Sequence, residues 1–292
     1  MSVSMPMFKE TTFTAGEVTL NVAEGPAAGP PLVLLHGVSR RWQDWVPLLP
    51  TLSTRFHVFA LDFRGHGRSG RAPSAYRVVD YVRDAVALID RITGVPPIVY
   101  GHSLGAMVAL AAGAERADRV RALVLEDPPF ETLGPLIRNT AYRGMFAAFG
   151  QLAGAGRSIA ELARELAEVD LSPPGKAQRL RLGDLRDASS LRFLASCLNQ
   201  LDPRTMTPLV EGGWLTGYDL QALLARVRCP TLLLQGERSH GSMLRDASAA
   251  EVASVISDCT RVRVEGVGHL IHSLKTEETL RIVGNYLESL AP

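Results

Sequence analysis

At 292 residues the chain is long enough to bury a substantial core. Hydrophobic residues make up 46% and charged residues 21%, an ordinary globular balance, and a formal net charge of +1 gives no electrostatic case for nucleic acid or an acidic partner. Residues 1–6 carry neither the basic nor the apolar stretch of a signal peptide, and no apolar run reaches the roughly 18 residues of a membrane span, so a cytoplasmic protein without membrane contact is expected. Cys197, Cys229 and Cys259 are odd in number and lack metal or disulfide spacing. They read as buried apolar residues in a reducing compartment.

In chain order, residues 8–13 and 18–23 alternate about Ala15-Gly16-Glu17, which predicts an opening hairpin. Residues 31–35 form a short, continuously apolar strand of the kind buried on both faces, and it runs into His36-Gly37-Val38-Ser39. Residues 42–53 have helical spacing (Trp42, Trp45, Val46, Leu49). A second buried strand, 56–61, ends in Asp62-Phe63-Arg64-Gly65-His66-Gly67-Arg68-Ser69, and 76–92 reads as an amphipathic helix. The strand 97–100 runs into Gly101-His102-Ser103-Leu104-Gly105 and then a helix of small residues. The strand 120–126 ends in Asp127-Pro128-Pro129.

From 130 to 215 the pattern turns helical, with breaks at 172–175 and 202–203, and reads as an inserted lid between two parts of one core, 1–129 and 216–292. Alternation then resumes: helix 220–227, strand 231–235, helix 247–256, strand 260–264, helix 276–290. The whole predicts a doubly wound, mostly parallel α/β sheet with a helical lid. Chemistry is expected at the carboxyl ends of its strands, where His36, Asp62, Ser103 and Asp127 stand.

Strand, G-x-S-x-G, helix is the context of a nucleophile elbow. Ser103 would sit on a strained turn, with Gly101 and Gly105 where no side chain fits, and the new helix would aim its N–H groups at a developing oxyanion. A serine hydroxyl needs a base to take its proton, and Gly266-Val267-Gly268-His269, directly after the last strand, supplies a histidine on a glycine loop. His272, one helical turn on, and His57, His66 and His102 read as structural or packing residues.

These motifs together resemble the α/β-hydrolase superfamily over essentially the full length: His36-Gly37, Asp62-x-Arg64-Gly65-His66-Gly67-x-Ser69, Gly101-His102-Ser103-Leu104-Gly105 and Gly266-Val267-Gly268-His269. The resemblance implies an oxyanion hole built from the backbone N–H groups of Val38 and Leu104, each such donor worth about 3 kcal/mol in acyl transfer. It makes Asp62 and Arg64 structural. The acid departs from the family pattern. After the strand 231–235 the chain reads Gly236-Glu237-Arg238-Ser239-His240-Gly241-Ser242, and the two usual positions, Ser239 and His240, are not acids. Pancreatic lipase, some haloalkane dehalogenases and the zearalenone lactonases take the acid from the end of the preceding strand, which here is Asp127. Asp127 is therefore expected to complete the triad, with Glu237 as the alternative; Glu126 points to the other side of its strand, and Asp246 lies further along the loop.

The expected reaction is hydrolysis of a small, largely hydrophobic carboxylic ester through an acyl-enzyme, with no cofactor and no metal. A lactone, a ring-cleavage diketone cleaved at a carbon–carbon bond, and non-catalytic ligand binding are the competing readings. Phe130, Met145 and Trp214, with Phe146, Phe149 and Phe193, are expected to line an apolar pocket under the lid. The oligomeric state and the natural substrate are not legible.

Overall fold

The computed structural model describes residues 8–290 apart from 73, 155 and 173–179. The expectations for residues 1–6, and for the break after Ser172, lie outside the described residues. Eight strands form one sheet: β1 (Lys9–Ala15), β2 (Val18–Glu24), β3 (Pro31–Leu35), β4 (His57–Leu61), β5 (Ile98–His102), β6 (Ala122–Glu126), β7 (Thr231–Gln235) and β8 (Cys259–Arg263). Their spatial order is β1-β2-β4-β3-β5-β6-β7-β8. β1 pairs antiparallel with β2 and β2 with β4, and every later pairing is parallel.

Sequence explains the layering. Every residue of β3, β5, β6 and β7 is buried, as continuous apolar strands require when both faces are covered. One face packs against the helices Val78–Arg91 and Leu104–Glu115. The other packs against Trp45, Leu48 and Leu49 and the closing helix Thr276–Ser289. Leu34, fully buried mid-sheet, belongs to this second core, where truncation to alanine costs about 2–5 kcal/mol. The helix Leu104–Glu115 is buried nearly all round, because its alanines and glycines let it lie close against the sheet.

One predicted helix is broken. Residues 42–53 form a 3-10 turn at Trp42–Trp45 and a separate turn of α-helix at Leu49–Leu52. Pro47 and Pro50 remove the N–H donors a continuous helix would need.

Between β6 and β7 the described residues form helical segments, the longest being Tyr142–Leu152, Ile159–Ala167 and Ala188–Asn199, and no sheet strand. This segment is tied to the core by polar contacts. Asp202 accepts from Tyr76 Oη at 2.7 Å and donates its N–H to the Gly65 carbonyl at 2.8 Å. Arg41 donates to Gln200 and Ser196, and the Val78 N–H donates to the Trp214 carbonyl. Among the described residues no helix is long and apolar enough to cross a membrane.

Candidate active site

Ser103 stands between β5 and the buried helix with φ 55° and ψ −117°. Its neighbours permit this only without side chains. A Cβ on Gly101 would lie 2.0 Å from the Gly105 carbonyl oxygen, and one on Gly105 would lie 1.9 Å from the Leu35 carbonyl oxygen. Among the described residues the non-glycine positions with positive φ are Ser39, Ser103 and Asp127, just beyond β3, β5 and β6. Backbone strain is thus gathered at the carboxyl ends of three adjacent parallel strands, at roughly 1–3 kcal/mol for each.

The structure brings Asp127 and His269 together. His269 Nδ1 lies 2.7 Å from Asp127 Oδ2. Asp127 is wholly buried and also accepts from Ser242 Oγ at 2.5 Å, the Met243 N–H at 2.7 Å and the Gly236 N–H at 3.3 Å. Burial alone would raise the Asp127 carboxyl, but these donors, His269 first, outweigh it and hold the group below its ordinary value. An ionised carboxylate only accepts, so Nδ1 carries the proton, and in the neutral imidazole Nε2 is then the bare nitrogen. Two glycine contacts fix the loop that carries the imidazole: Cβ atoms on Gly268 and Gly236 would meet the carbonyl oxygens of His240 and Gly268 at 1.9 and 2.1 Å. Glu237 lies elsewhere, paired with His240 Nδ1 at 2.8 Å.

Two neutral histidines rivet the loop after β3. His36 Nδ1 donates to the Gly37 carbonyl, and its Nε2 accepts the Phe63 N–H. His66 Nδ1 donates to the Arg64 carbonyl, and its Nε2 accepts the Ser39 N–H. Burial lowers His36 to about 4 and His66 to about 3, so neither carries charge at neutral pH. Val38 lies between the riveted residues, with its N–H free of backbone and side-chain acceptors among the described residues. Leu104 is the first helical residue, where an N–H has no acceptor within the helix. Asp62 caps the same region, accepting from the Trp42 and Arg68 N–H groups, and Arg64 forms a buried pair with Asp84 at 2.6 Å.

Behind the serine lies a sealed ionic cluster. Glu126 accepts from Tyr100 Oη at 2.6 Å and from His272 Nδ1 at 2.9 Å, and His272 Nε2 lies 3.5 Å from Asp44 Oδ2. Burial works against charge here, but Glu126 and Asp44 overcome it and raise His272 to about 10. His102 is also buried; burial lowers it to about 3, and its Nε2 donates to the His269 carbonyl at 2.9 Å. His102, Glu126 and His272 offer ligand atoms within 4.8 Å of one another. As a metal site the group is already spent, because Glu126 and His272 neutralise each other.

Ser103 and His269 line one cavity of about 170 Å³. The Gly37–Arg40 loop forms part of its wall, and Met145, Phe146, Phe149 and Leu194 supply apolar lining from the segment between β6 and β7. Of the residues expected from sequence to line a pocket, Met145 lines this cavity and Phe130 and Trp214 do not. Phe130 is buried in the core just beyond β6. Trp214 is buried against a separate depression beside Leu133 and Ile137. Phe193 is turned beneath the Arg40 and Arg41 guanidinium groups, 5.7 and 5.9 Å from its centroid. Sequence reasoning missed Ser242, Asp44, Arg40 and Arg186. Arg40 had a signal, since it directly follows the His36–Ser39 motif, whereas Arg186 had none.

Comparison with known proteins agrees with this architecture. The family model for the alpha/beta hydrolase fold matches residues 30–276. A 2-(acetamidomethylene)succinate hydrolase of Mesorhizobium japonicum is 29% identical over 276 residues, covering 94% of this chain and 93% of that protein. The magnesium-chelatase 30 kDa subunit of Rhodobacter capsulatus is 28% identical over 277 residues, covering 90% and 89%. The crystal structure of an E-2-(acetamidomethylene)succinate hydrolase superposes with a TM-score of 0.74 at 25% identity, covering 97% of this chain and all of that one. The sheet order, the elbow and the matched family model carry one conclusion: the chain belongs to the alpha/beta hydrolase family.

Proposed function

We propose that this hydrolase transfers the acyl group of a small substrate to water, with Ser103 as nucleophile, His269 as base and Asp127 as the acid that orients it. The observation that carries the reading is the 2.7 Å contact between His269 Nδ1 and a fully buried, ionised Asp127. In the neutral imidazole that contact leaves Nε2 to act as the base, on a cavity that the elbow serine also lines.

Ser103 Oγ attacks the substrate carbonyl as His269 Nε2 takes its proton. The Val38 and Leu104 N–H groups receive the oxyanion, while Asp127 stabilises the imidazolium without taking a proton. The imidazolium returns the proton to the leaving group, whose bond to the carbonyl carbon breaks. Water, deprotonated by the same nitrogen, then attacks the acyl-enzyme, releasing the acid and restoring Ser103. A serine oxygen on the elbow fits acyl transfer, and His269 supplies the only proton shuttle the two half-reactions need.

The cavity is only a little larger than the roughly 150 Å³ that takes one benzene ring, which favours a compact substrate over a macrolactone. A small ester is the simplest acyl compound for this site. The full-length relative named for hydrolysis of 2-(acetamidomethylene)succinate, an N-acyl compound, favours a small amide as the second reading.

The test is hydrolysis of small esters and N-acyl compounds by wild type beside Ser103→Ala, with fluorophosphonate labelling of both. Turnover and labelling should vanish together in the variant. Labelling at another residue, or turnover that survives the substitution, would overturn the assignment.

A further inference from the structure

The cavity beside Ser103 holds cations without matching anions. Arg40 and Arg186 both line it, and among its described lining residues there is no aspartate or glutamate. Arg40 has one carboxylate nearby, Asp44, with Nη1 3.8 Å from Oδ1. That carboxylate is shared, because its other oxygen lies 3.5 Å from His272 Nε2. Arg186 has less: among the described residues it makes no hydrogen bond and no ion pair. Its surroundings are costly for a charge. Burial, reinforced by Arg40, lowers the guanidinium to about 10. A half-buried guanidinium that feels the charge of a second one on the same cavity is stabilised when an anion arrives there.

Resting on the acyl-hydrolase reading, we infer that Arg40 and Arg186 form a carboxylate-binding subsite, so that the substrate is a small acyl compound bearing a carboxylate. The sequence-based expectation is a largely hydrophobic ester, and this reading adds a charged end to the acyl compound. The charge count selects the ligand class. Arg40 is part-compensated by Asp44, and the carboxylate of Asp187, next to Arg186 in the chain, is exposed, off the cavity and held by Ser189 and Ser190, which leaves about one positive charge unanswered on the cavity, the complement of a monoanion rather than a phosphate dianion. Location selects the role. Arg40 lies two positions beyond Val38 on the same riveted loop, so an anion held there lies beside the carbonyl that Val38 would polarise. The apolar wall formed by Leu133, Met145, Phe146 and Leu194 then accommodates the carbon skeleton between the two polar ends.

The experiment compares two esters of one shape. Monomethyl succinate carries a carboxylate where methyl 4-methylpentanoate carries an isopropyl group. For wild type, kcat/KM should favour the anionic ester at least tenfold. Arg186→Met, which keeps the apolar stem and breaks no ion pair, should reduce that ratio at least tenfold, and Arg186→Lys should restore part of it. A ratio near one in wild type, or one unmoved by Arg186→Met, overturns the subsite. Calorimetric titration of monomethyl succinate into Ser103→Ala, with and without Arg186→Met, decides the same point without turnover. Binding weakened at least tenfold by the arginine substitution supports the subsite even if no ester is hydrolysed, and equal or absent binding refutes it. Failure of hydrolysis and labelling in wild type would refute the serine mechanism separately.

Discussion

Two carboxylate–histidine pairs stand back to back at the end of β6. Asp127 holds His269, three positions before His272, and Glu126 holds His272. Alternation along a strand sends the two carboxylates to opposite faces. On one face Asp127 meets a single histidine whose side chain is 12% exposed and reaches the cavity. On the other face Glu126 shares a wholly buried His272 with Asp44, under the stacked ring of Trp45. The chemistry of the pairs is alike, and access separates them. Two carboxylates hold His272 as a cation at neutral pH, unable to act as a base there. One carboxylate orients His269 and leaves its other nitrogen free.

The largest effect should come from exchanging the charge on the open side. Asp127→Asn keeps the shape but offers His269 an amide that no longer selects the Nδ1–H tautomer, so kcat should fall by about 10⁴-fold while the fold is kept. Steady-state kinetics beside a circular dichroism melt would check this. Near-normal kcat would move the acid elsewhere in the site. The same exchange on the closed side should act on stability instead. Glu126→Gln leaves the His272 cation with only Asp44, and breaking a buried pair in this way costs about 3–5 kcal/mol. Urea unfolding would measure it. A variant as stable as wild type but as inactive as Asp127→Asn would show that the two faces do not divide the work.

Most of the candidate site was legible because it depends on local rules. Ser103 follows from strand, glycine, serine, glycine, helix, and the clashes at Gly101 and Gly105 are the physical content of that pattern. His269 follows from glycines at the end of a strand. The carboxylate partner of His269 was harder to place, because its position along the chain is free so long as it reaches Nδ1. The loop after β7 contains Glu237, an acid of the right type, but folds so that Glu237 pairs with His240. The same loop gives Asp127 three donors: the N–H groups of Gly236 and Met243, and the hydroxyl of Ser242. It supports the carboxylate instead of supplying one. The pocket was the least legible part. Aromatic residues between β6 and β7 look alike in sequence, and only packing turns Phe146 and Phe149 to the cavity, Phe193 under two arginines and Trp214 against a different depression. Arg186 reaches the cavity by tertiary folding alone.

That support can be weakened by degrees. Ser242→Ala removes one of the donors to Asp127 and leaves His269, Met243 and Gly236 in place. A hydrogen bond to a charged group contributes about 1.5–3 kcal/mol, so a loss of roughly tenfold to a hundredfold in kcat/KM is expected. Kinetics matching wild type would mean that the backbone donors suffice.

The smallest effect, counted per pH unit, belongs to the closed pair and has a definite sign. His272 is raised to about 10 in the folded chain and returns to about 6.5 when unfolded. Below pH 6.5 both states hold the proton and the cluster contributes its full stabilisation. As pH rises, the unfolded chain releases the proton first, and the advantage is gone above about 10. Stability should therefore fall between about pH 7.5 and 8, by at most about 1.4 kcal/mol for each pH unit. That window isolates the cluster. Burial lowers His36, His66 and His102 to about 4, 3 and 3, and in the unfolded chain they release their protons near 6.5, so their opposite effect is nearly spent by about pH 7.5. Burial raises the three thiols from 9.0 to about 12, 11 and 11, so they begin to matter only above the window. Urea unfolding at several pH values should give a clear slope for wild type and a shallower one for Glu126→Gln, whose His272 has lost one counter-ion. A flat wild-type profile would mean that His272 is not held as a cation, and the closed pair would then differ from the open one in access but not in charge.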